Sequence, residues 1–213
     1  MIFVNEEQKR VILSVRKCGF STLVQTVGNV FQNKTGSRKY ILHDFDKYHY
    51  KDIKGNFGNY NFDVWENYDV VLVIRHPWER YVSGIRTLWK PQVVRMGTPI
   101  KTTNKKVLKE LLNTWFEKNF TGDYELNDPH TANWLYNTKK LKFKSLEVVD
   151  TKNLSDWLLK NNFKGYHLHK SEKLDLSVID EFLKTKHLNQ LEHYLKNEFE
   201  VYNYWHKSEF IFK

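Results

Sequence analysis

Two segments in the first half of the chain place cationic and hydroxyl side chains directly after apolar runs. The first run, Val11–Val15, leads into the segment Arg16–Thr22. The second run, Asp69–Ile74, leads into Arg75, and Ser83 follows within the next ten residues. Ammonium, guanidinium and hydroxyl groups donate hydrogen bonds to phosphate and sulfate. These residue types therefore suit the binding of an anionic ligand.

Each apolar run is rich in β-branched residues, which is typical of a strand buried on both faces of a sheet. In α/β proteins, ligands bind beyond the carboxyl ends of such strands. A helix that begins directly after the strand exposes backbone N–H groups and the positive end of its dipole, and both attract phosphate. We call each junction between such a strand and the cationic segment after it a cationic corner. Two cationic corners predict one ligand with two anionic groups.

The Lys17 loop combines several groups that suit phosphate binding. Gly19 lets the backbone approach a phosphate closely, Lys17 supplies a compact charge, and Ser21 and Thr22 add hydroxyl donors. The spacing is not that of the Walker sequence G-x-x-x-x-G-K, which argues against an ATPase or kinase. Two simpler interpretations remain open. Lys17 would be a solvated side chain in a plain turn, and Arg75 would form a salt bridge at the end of its buried strand.

Strands alternate with helices along the chain, which predicts an α/β fold. We expect a three-layer sandwich with a central, largely parallel sheet and a helical C-terminal part, formed by a single domain over residues 1–213. The predicted strands are 11–15, 39–43, 69–74 and 145–150. The predicted helices are 21–31, 62–67, 77–89, 104–118, 130–136, 154–160, 176–186 and 188–199. Residues 90–103, with two prolines and a glycine, are predicted to form a mobile loop.

Composition narrows the classes of partner. A net charge of +9 favours an anionic partner such as a nucleotide, a nucleic acid, an acidic glycan or a membrane surface, although lysines on solvated helix faces would also produce it. The single cysteine, Cys18, excludes an internal disulfide and permits a reducing compartment. The charged start and the lack of an apolar stretch of ~20 residues predict a cytoplasmic protein without signal peptide or membrane span.

The two motifs resemble those of a known enzyme family. Arg16–Leu23 resembles the 5′-phosphosulfate-binding loop of sulfotransferases, which commonly reads Pro-Lys-Thr-Gly-(Thr/Ser)-(Thr/Ser)-Ser-Leu. Ile74–Ser83 resembles their 3′-phosphate-binding segment, which commonly reads Arg-Asn/Asp-Pro-x-x-Arg-x-x-Ser. Leu146–Val149 and the C-terminal Tyr194–Tyr202 are similar to the carbohydrate branch, which includes Golgi glycan sulfotransferases and bacterial relatives. In the first loop, this chain has arginine, cysteine and phenylalanine where the family commonly has proline, threonine and a hydroxyl residue.

The resemblance implies a P-loop-like sulfotransferase fold and a reaction. The donor would be 3′-phosphoadenosine 5′-phosphosulfate (PAPS) and the product 3′-phosphoadenosine 5′-phosphate (PAP). The sulfuryl group would pass in line to a hydroxyl or amine of an acceptor, as in phosphoryl transfer, with no metal. Lys17 would stabilise the leaving 5′-phosphate, and Arg75 and Ser83 would hold the 3′-phosphate. The donor-binding residues implied are Arg16, Lys17, Cys18, Gly19, Phe20, Ser21, Thr22, Arg75 and Ser83.

The resemblance also implies a base, commonly a histidine between the two phosphate motifs. His49 is preferred over His43 because its distance before Arg75 is close to the family's usual interval, in the loop after the second strand. An imidazole there would titrate near neutral pH, as a general base should. His76 is expected to orient the Arg75 loop, and His130 either lines the acceptor cleft or begins a helix. The segment 169–171, His-Lys-Ser, occupies a position where the family often has a loop touching the donor.

The acceptor and the competing functions stay open at the sequence level. An aromatic share of 15% suits sugar stacking, although most of the seven tryptophans fit a core better. An acidic polysaccharide is favoured modestly over a small molecule or a peptide because basic residues lie in and after the predicted loop: Lys90, Arg95, Lys101, Lys105 and Lys106. The alternatives are a P-loop-like nucleotide kinase, which needs ATP and magnesium, and a basic nucleic-acid-binding module without catalysis. No recognition motif of the known nucleic-acid folds is visible, so a nucleic-acid partner is not expected.

Overall fold

The computed structural model describes most of the chain in two compact units. The described residues are 2–19, 22–23, 26, 30–32, 38–40, 48–51, 62–95, 105–120, 122–126, 128, 130–133, 135–163, 176–207 and 210–212. The first unit comprises Met1–Arg75, Trp134–His169 and Val201–Lys213, and the second comprises His76–Asn133 and Lys170–Glu200. Each unit has its own hydrophobic cluster. The prediction of a single domain stays a prediction.

The first unit contains a six-stranded sheet with the order β5-β1-β2-β6-β7-β8. Its strands are β1 (Ile2–Asn5), β2 (Arg10–Ser14), β5 (Tyr48–Lys51), β6 (Asp69–Ile74), β7 (Ser145–Asp150) and β8 (Phe210–Phe212). The three central strands, β2, β6 and β7, pair in parallel. β1, β5 and β8 join antiparallel to their neighbours. The α/β class is confirmed, but the largely parallel arrangement holds only for the centre of the sheet.

The antiparallel side of the sheet begins with a hairpin that the sequence analysis missed. β1 pairs with β2 from Ile2↔Leu13 to Asn5↔Arg10. The turn between them is held by the Asn5 side chain, whose Oδ1 accepts from the backbone N–H of Gln8 at 3.0 Å. The apolar part of β1 is only three residues long, too short for a clear period. β1 is therefore a strand because it pairs with β2 and β5, and not because its own sequence has a clear strand pattern.

The sheet is held by residues that are fully buried on both faces. β6 is the clearest case, because Val71 and Val73 belong to one hydrophobic cluster while Val70 and Leu72 are equally buried. This cluster includes Trp157 and Leu158 of helix α3 (Leu154–Lys160), which therefore covers one face. The continuous apolar run of β6 is the pattern expected for such a strand, and its predicted bounds are confirmed. The predicted bounds of β7 and of α3 are confirmed as well.

A separate two-stranded sheet lies after the Lys17 loop in sequence. β3 (Val30–Gln32) pairs antiparallel with β4 (Arg38–Tyr40), with Phe31 opposite Lys39. The predicted helix 21–31 is therefore wrong at its end, because Val30 and Phe31 are in a strand. β-branched and aromatic residues favour a strand once a partner is available. The predicted strand 39–43 is confirmed for its first two residues, which belong to β4, and its other three residues lie outside the described residues.

The second unit is helical. Its helices are α1 (Pro77–Arg95), α2 (Lys105–Asn119), α4 (Leu176–Lys186) and the first part of α5 (Leu188–His206). They enclose a cluster that includes Trp89, Leu112 and Leu183. α1 continues past Trp89, so the loop prediction for 90–103 is wrong for residues 90–95. A proline inside a helix removes one hydrogen bond but does not always end the helix.

Two further helical segments are short. Phe62–Trp65 is a 3₁₀ helix inside the helix predicted at 62–67, and the 3₁₀ helix Leu135–Lys140 begins later than the helix predicted at 130–136. α5 runs to His206, seven residues beyond its predicted end. Within the described part of the chain, no helix has the length and the apolar character that a membrane crossing requires.

Candidate functional site

The two cationic corners predicted from the sequence meet in the first unit. β2 and β6 are parallel neighbours, with Ser14 opposite Val73, so both strands end at the same edge of the sheet. Arg75 follows β6 directly, and its Nη1 donates to the backbone carbonyl of Lys17 at 3.3 Å. Arg75 and Lys17 are both half-buried. The guanidinium of the second corner thus contacts the loop of the first corner.

The Lys17 loop is closed by its own hydrogen bonds. The N–H of Cys18 donates to the carbonyl of Val15 at 3.1 Å. The hydroxyl of Ser14, the last residue of β2, donates to the carbonyl of Cys18 at 2.6 Å. Cys18 is completely buried, and its N–H is used inside the loop. Its predicted role as a donor to the ligand stays a prediction.

Lys17 has a backbone conformation that is uncommon for a residue with a side chain. Its φ is 67° and that of Gly19 is 75°, whereas Cys18 between them does not have a positive φ. Strained backbone of this kind clusters at functional sites. The Lys17 conformation is therefore a structural signal of a functional site that the sequence could not reveal.

Gly19 packs closely against the start of α3. A Cβ at this position would lie 2.4 Å from Cδ2 of Leu154, which is itself buried. The carbonyl of Gly19 accepts from the N–H of Leu23 at 2.9 Å, an α-helical bond. A helical turn thus begins at the loop, where its N–H groups favour an anion. Thr22 is half-buried in this turn, while Phe20 and Ser21 lie outside the described residues.

A carboxylate that the sequence analysis did not single out lies at the same edge of the sheet. Asp150 ends β7 and pairs with Ile74, the residue before Arg75. Its Oδ2 accepts from the Tyr202 hydroxyl at 2.8 Å, and its Oδ1 accepts from the N–H of Lys152 at 2.9 Å. Asp150 is the last residue of a predicted strand, which is the signal that could have found it. The carboxyl edge of the sheet therefore carries one carboxylate, held by hydrogen bonds, beside Lys17 and Arg75.

The proposed base is not brought to this edge by the backbone. His49 lies in β5 rather than in a loop, opposite Val4, which in turn is opposite Val11. Val11 is three residues before the end of β2, so the His49 row lies about 10 Å from that end along the strands. β5 is also two strands away from β2, another 10 Å or so across the sheet. His43 lies outside the described residues.

The remaining predicted residues of the 3′-phosphate segment lie in the second unit. Ser83 is half-buried on α1, and its carbonyl accepts from the Thr87 hydroxyl at 3.1 Å. One turn earlier, Arg80 is buried and donates from Nη2 to Oε2 of Glu198 at 2.7 Å. Arg80 therefore has a buried carboxylate partner within its own unit. This ion pair accounts for the arginine of the Arg-x-x-Ser pattern without a ligand.

Two other histidines named from the sequence have packing or turn roles in the second unit. The His76 ring packs edge-on against Phe199, with 5.3 Å between ring centroids. His130 lies in a turn rather than at the start of a helix, and its Nδ1 is 2.6 Å from Oδ1 of Asp128. The segment 169–171 lies outside the described residues, as does Lys101. Lys105 and Lys106 are exposed in the first turn of α2.

The side chains gathered at this edge of the sheet suit the binding of an anion. The described residues there supply two cations, a loop with two residues at positive φ and one anchored carboxylate. No group of three or more His, Cys, Asp or Glu residues within the described ranges is placed to hold a metal ion. Comparisons of the chain with protein-family models, curated proteins and solved structures found no match.

Proposed function

We propose that the protein is a sulfotransferase that uses PAPS as donor. The observation that supports this best is the hydrogen bond from Arg75 to the carbonyl of Lys17. This contact joins two cationic motifs, far apart in sequence, at the carboxyl edge of a parallel strand pair, where α/β proteins bind ligands. The order and content of both motifs resemble those that bind the two phosphate groups of PAPS. The three-layer sulfotransferase fold is part of this proposal.

In this proposal, Lys17 acts directly on the reacting groups. Sulfuryl transfer places negative charge on the bridging oxygen and on the leaving 5′-phosphate. A preorganised ammonium group and loop N–H groups would stabilise that charge in the transition state. Arg75 would fix the position of the nucleotide, and positioning of both reactants lowers the barrier further. The set Arg16, Cys18, Gly19, Phe20, Ser21 and Thr22 would complete the 5′ site.

The acceptor and the base complete the reaction. The acceptor hydroxyl or amine loses a proton to a histidine, His49 or His43, and a carbohydrate is the preferred acceptor class. His49 lies in β5, an outermost strand of the sheet. It could act as the base only if the acceptor substrate extends as far as that strand. Replacing His49 by alanine should remove turnover of PAPS but leave PAP binding intact. Retained turnover in that variant would transfer the role to His43.

Calorimetry with PAP, ATP and ADP tests the donor assignment. We expect PAP to bind more tightly than ATP or ADP, without magnesium, because the two motifs resemble those that bind two separate phosphate groups rather than a polyphosphate chain. Lys17→Ala and Arg75→Ala should each weaken PAP binding by roughly tenfold to a hundredfold, the value of one charge-assisted hydrogen bond. The control is Lys144→Ala, because Lys144 is exposed and precedes β7, at the opposite edge.

The outcomes separate the candidate functions. Magnesium-dependent ATP binding that exceeds PAP binding would favour the nucleotide kinase. PAP binding that Lys144→Ala reduces as much as Lys17→Ala would show a general charge effect and contradict the site. Transfer of labelled sulfate from PAPS to polysaccharides, phenols or peptides then identifies the acceptor class.

A further inference from the structure

The second unit contains a cavity that the proposed donor site does not use. Its volume is about 490 Å³. This lies within the range of about 300–1,000 Å³ that small-molecule sites occupy. The residues that line it and bear on its chemistry are Asp123, Tyr124, Asn189, Gln190, His193 and Tyr194. Two tyrosines and four hydrogen-bonding side chains thus line one depression that is widely open to solvent.

Hydrogen bonds hold the two tyrosines that line the cavity. The Tyr194 hydroxyl donates to the carbonyl of Thr131 at 3.2 Å. The backbone of Tyr124 is held by Tyr81, whose hydroxyl donates to the Tyr124 carbonyl at 2.9 Å. The Tyr124 and Tyr194 ring centroids are 6.0 Å apart at an interplanar angle of 35°. A fixed aromatic surface binds a ligand without losing much side-chain entropy.

The polar side chains come from the first turns of α5 and from the turn that contains Asp123. Asn189 and His193 are four residues apart, as are Gln190 and Tyr194, so each pair lies on one face of the helix. Asp123 is fixed by its own turn, because its Oδ1 accepts from the N–H of Glu125 at 2.8 Å. Amide, imidazole and carboxylate groups together offer both donors and acceptors. Such a set matches a ligand with several hydroxyl groups.

The charge of the lining favours an uncharged ligand over an anionic one. Among the described residues that line the cavity, none is lysine or arginine, and one is a carboxylate. This is notable in a chain with a net charge of +9. A phosphate, a nucleotide or an acidic glycan would meet Asp123 without a cation to offset it. The ligand that fits the lining is therefore uncharged, partly apolar and rich in hydroxyl groups.

We propose that this cavity binds a neutral saccharide. One face of a pyranose ring is made of C–H groups, which pack on aromatic rings, and its hydroxyls bond amide and carboxylate groups. Tyr124 and Tyr194 supply the aromatic surface, while Asn189, Gln190 and Asp123 bind hydroxyls. The proposal rests on the second unit alone and does not require sulfuryl transfer in the first.

The test is saturation-transfer NMR and calorimetry of the full chain with lactose, cellobiose and N,N′-diacetylchitobiose. We expect at least one of them to bind with a Kd in the millimolar range, on the order of 1 mM. Heparin-derived disaccharides and phenol are the comparison probes for an anionic and a purely aromatic ligand. If none of the three neutral disaccharides binds, or if a heparin-derived disaccharide or phenol binds more tightly than all three, the proposal fails.

Variants locate the binding in the cavity. Asn189→Ala and Gln190→Ala should each weaken saccharide binding about fivefold to tenfold, because each removes one hydrogen bond. Both positions are exposed, so the fold should tolerate the change. Asn197→Ala, an exposed position on the same helix outside the cavity, is the matched control. Equal binding by all three variants would place the sugar elsewhere and overturn the proposal. PAP binding should be unchanged in each, which separates this result from failure of the donor site.

Discussion

Lys17 is the residue whose backbone says most about the first unit. A non-glycine residue at a φ of 67° costs of order 1–3 kcal/mol and persists only where its surroundings impose it. The hydrogen bonds of Ser14, Cys18 and Arg75 to this loop impose it here. Arg75 therefore has a structural contact as well as its proposed ligand. Loss of Arg75 would affect both the loop and the anion.

Gly19→Ala provides a prediction at the residue scale. Alanine would have to adopt a positive φ, and its Cβ would lie 2.4 Å from Leu154. We therefore expect a loss of about 1–3 kcal/mol in the free energy of unfolding. PAP binding should weaken as well because the loop must shift. Urea unfolding and calorimetry measure the two effects.

The control for this prediction is Gly122→Ala. Gly122 also has a positive φ, but a Cβ there meets no atom within 4 Å. The difference between the two variants therefore isolates the packing against Leu154. Equal losses would show that only backbone strain matters at Gly19.

His187 allows a second prediction at the residue scale. Its ring packs 4.6 Å from Phe116, and its Nδ1 is 3.3 Å from the Tyr124 hydroxyl. Burial, followed by the charge of Lys186, lowers the pKa of His187 below its ordinary value of 6.5. Below pH 6.5 the unfolded chain then binds more protons at this site than the folded chain, so stability falls as the pH decreases through the window below 6.5.

The pH prediction is checked by comparing thermal unfolding of the natural chain and His187→Gln. We expect the natural chain to lose more stability than the variant when the pH falls from about 7.5 to about 5.5. The difference between their pH slopes removes the contributions of the other titrating groups. Parallel slopes would contradict the assignment to His187.

At the scale of elements, the pair Arg80–Glu198 joins α1 to α5 inside the second unit. Both side chains are buried, with exposures of 1% and 0%, and Arg80 also lies 3.4 Å from the carbonyl of His130. A buried ion pair adds little net stability, but a single charge left without its partner is costly. The pair therefore specifies which faces of the two helices meet. This role is separate from ligand binding.

Single and double variants test this role. Glu198→Gln and Arg80→Met should each lower the free energy of unfolding by about 3–5 kcal/mol. The double variant should lose less than the sum of the two because no charge is then left unpaired. Lys184→Ala, which breaks the exposed Lys184–Asp180 pair, is the control and should cost at most about 1 kcal/mol. Strict additivity of the single effects would contradict the coupling.

At the scale of the whole molecule, non-specific binding caused by the net charge of +9 must be distinguished from binding at the proposed donor site. The chain has 34 lysines and arginines, and the proposed donor site uses few of them. A surface of this charge will bind an oligonucleotide weakly at low salt whatever the protein does. Such binding falls steeply as salt is raised because counterions are released. Affinity for nucleic acid at low salt is therefore not evidence of function.

The double variant Lys17→Ala/Arg75→Ala separates these two kinds of binding. We expect it to lose PAP binding while its affinity for a mixed-sequence oligonucleotide at low salt stays within about twofold, because most surface charge remains. The measurement is fluorescence anisotropy over a range of salt concentrations. Parallel loss of both affinities would favour the nucleic-acid-binding alternative.

Local pattern predicted the centre of the first unit well. The bounds of β6, β7 and α3 follow from the sequence because a long apolar run or a clear helical period leaves one local solution. The placement of Lys17 and Arg75 at strand ends follows from the same runs. β1 and β8 were missed because each is three or four residues long and becomes a strand only through pairing with a distant partner. The end of the helix predicted through Phe31 was wrong for the same reason.

The sequence by itself determined the α/β class, the central strands and the residues that follow them, because these depend on the free energy of burying contiguous apolar side chains. Only the tertiary structure decided that Arg75 contacts the Lys17 loop, that His49 lies within β5 and that Tyr202 anchors Asp150. It also paired Arg80 with Glu198, 118 residues away. Such contacts depend on which distant segments pack together, and no local period encodes that choice.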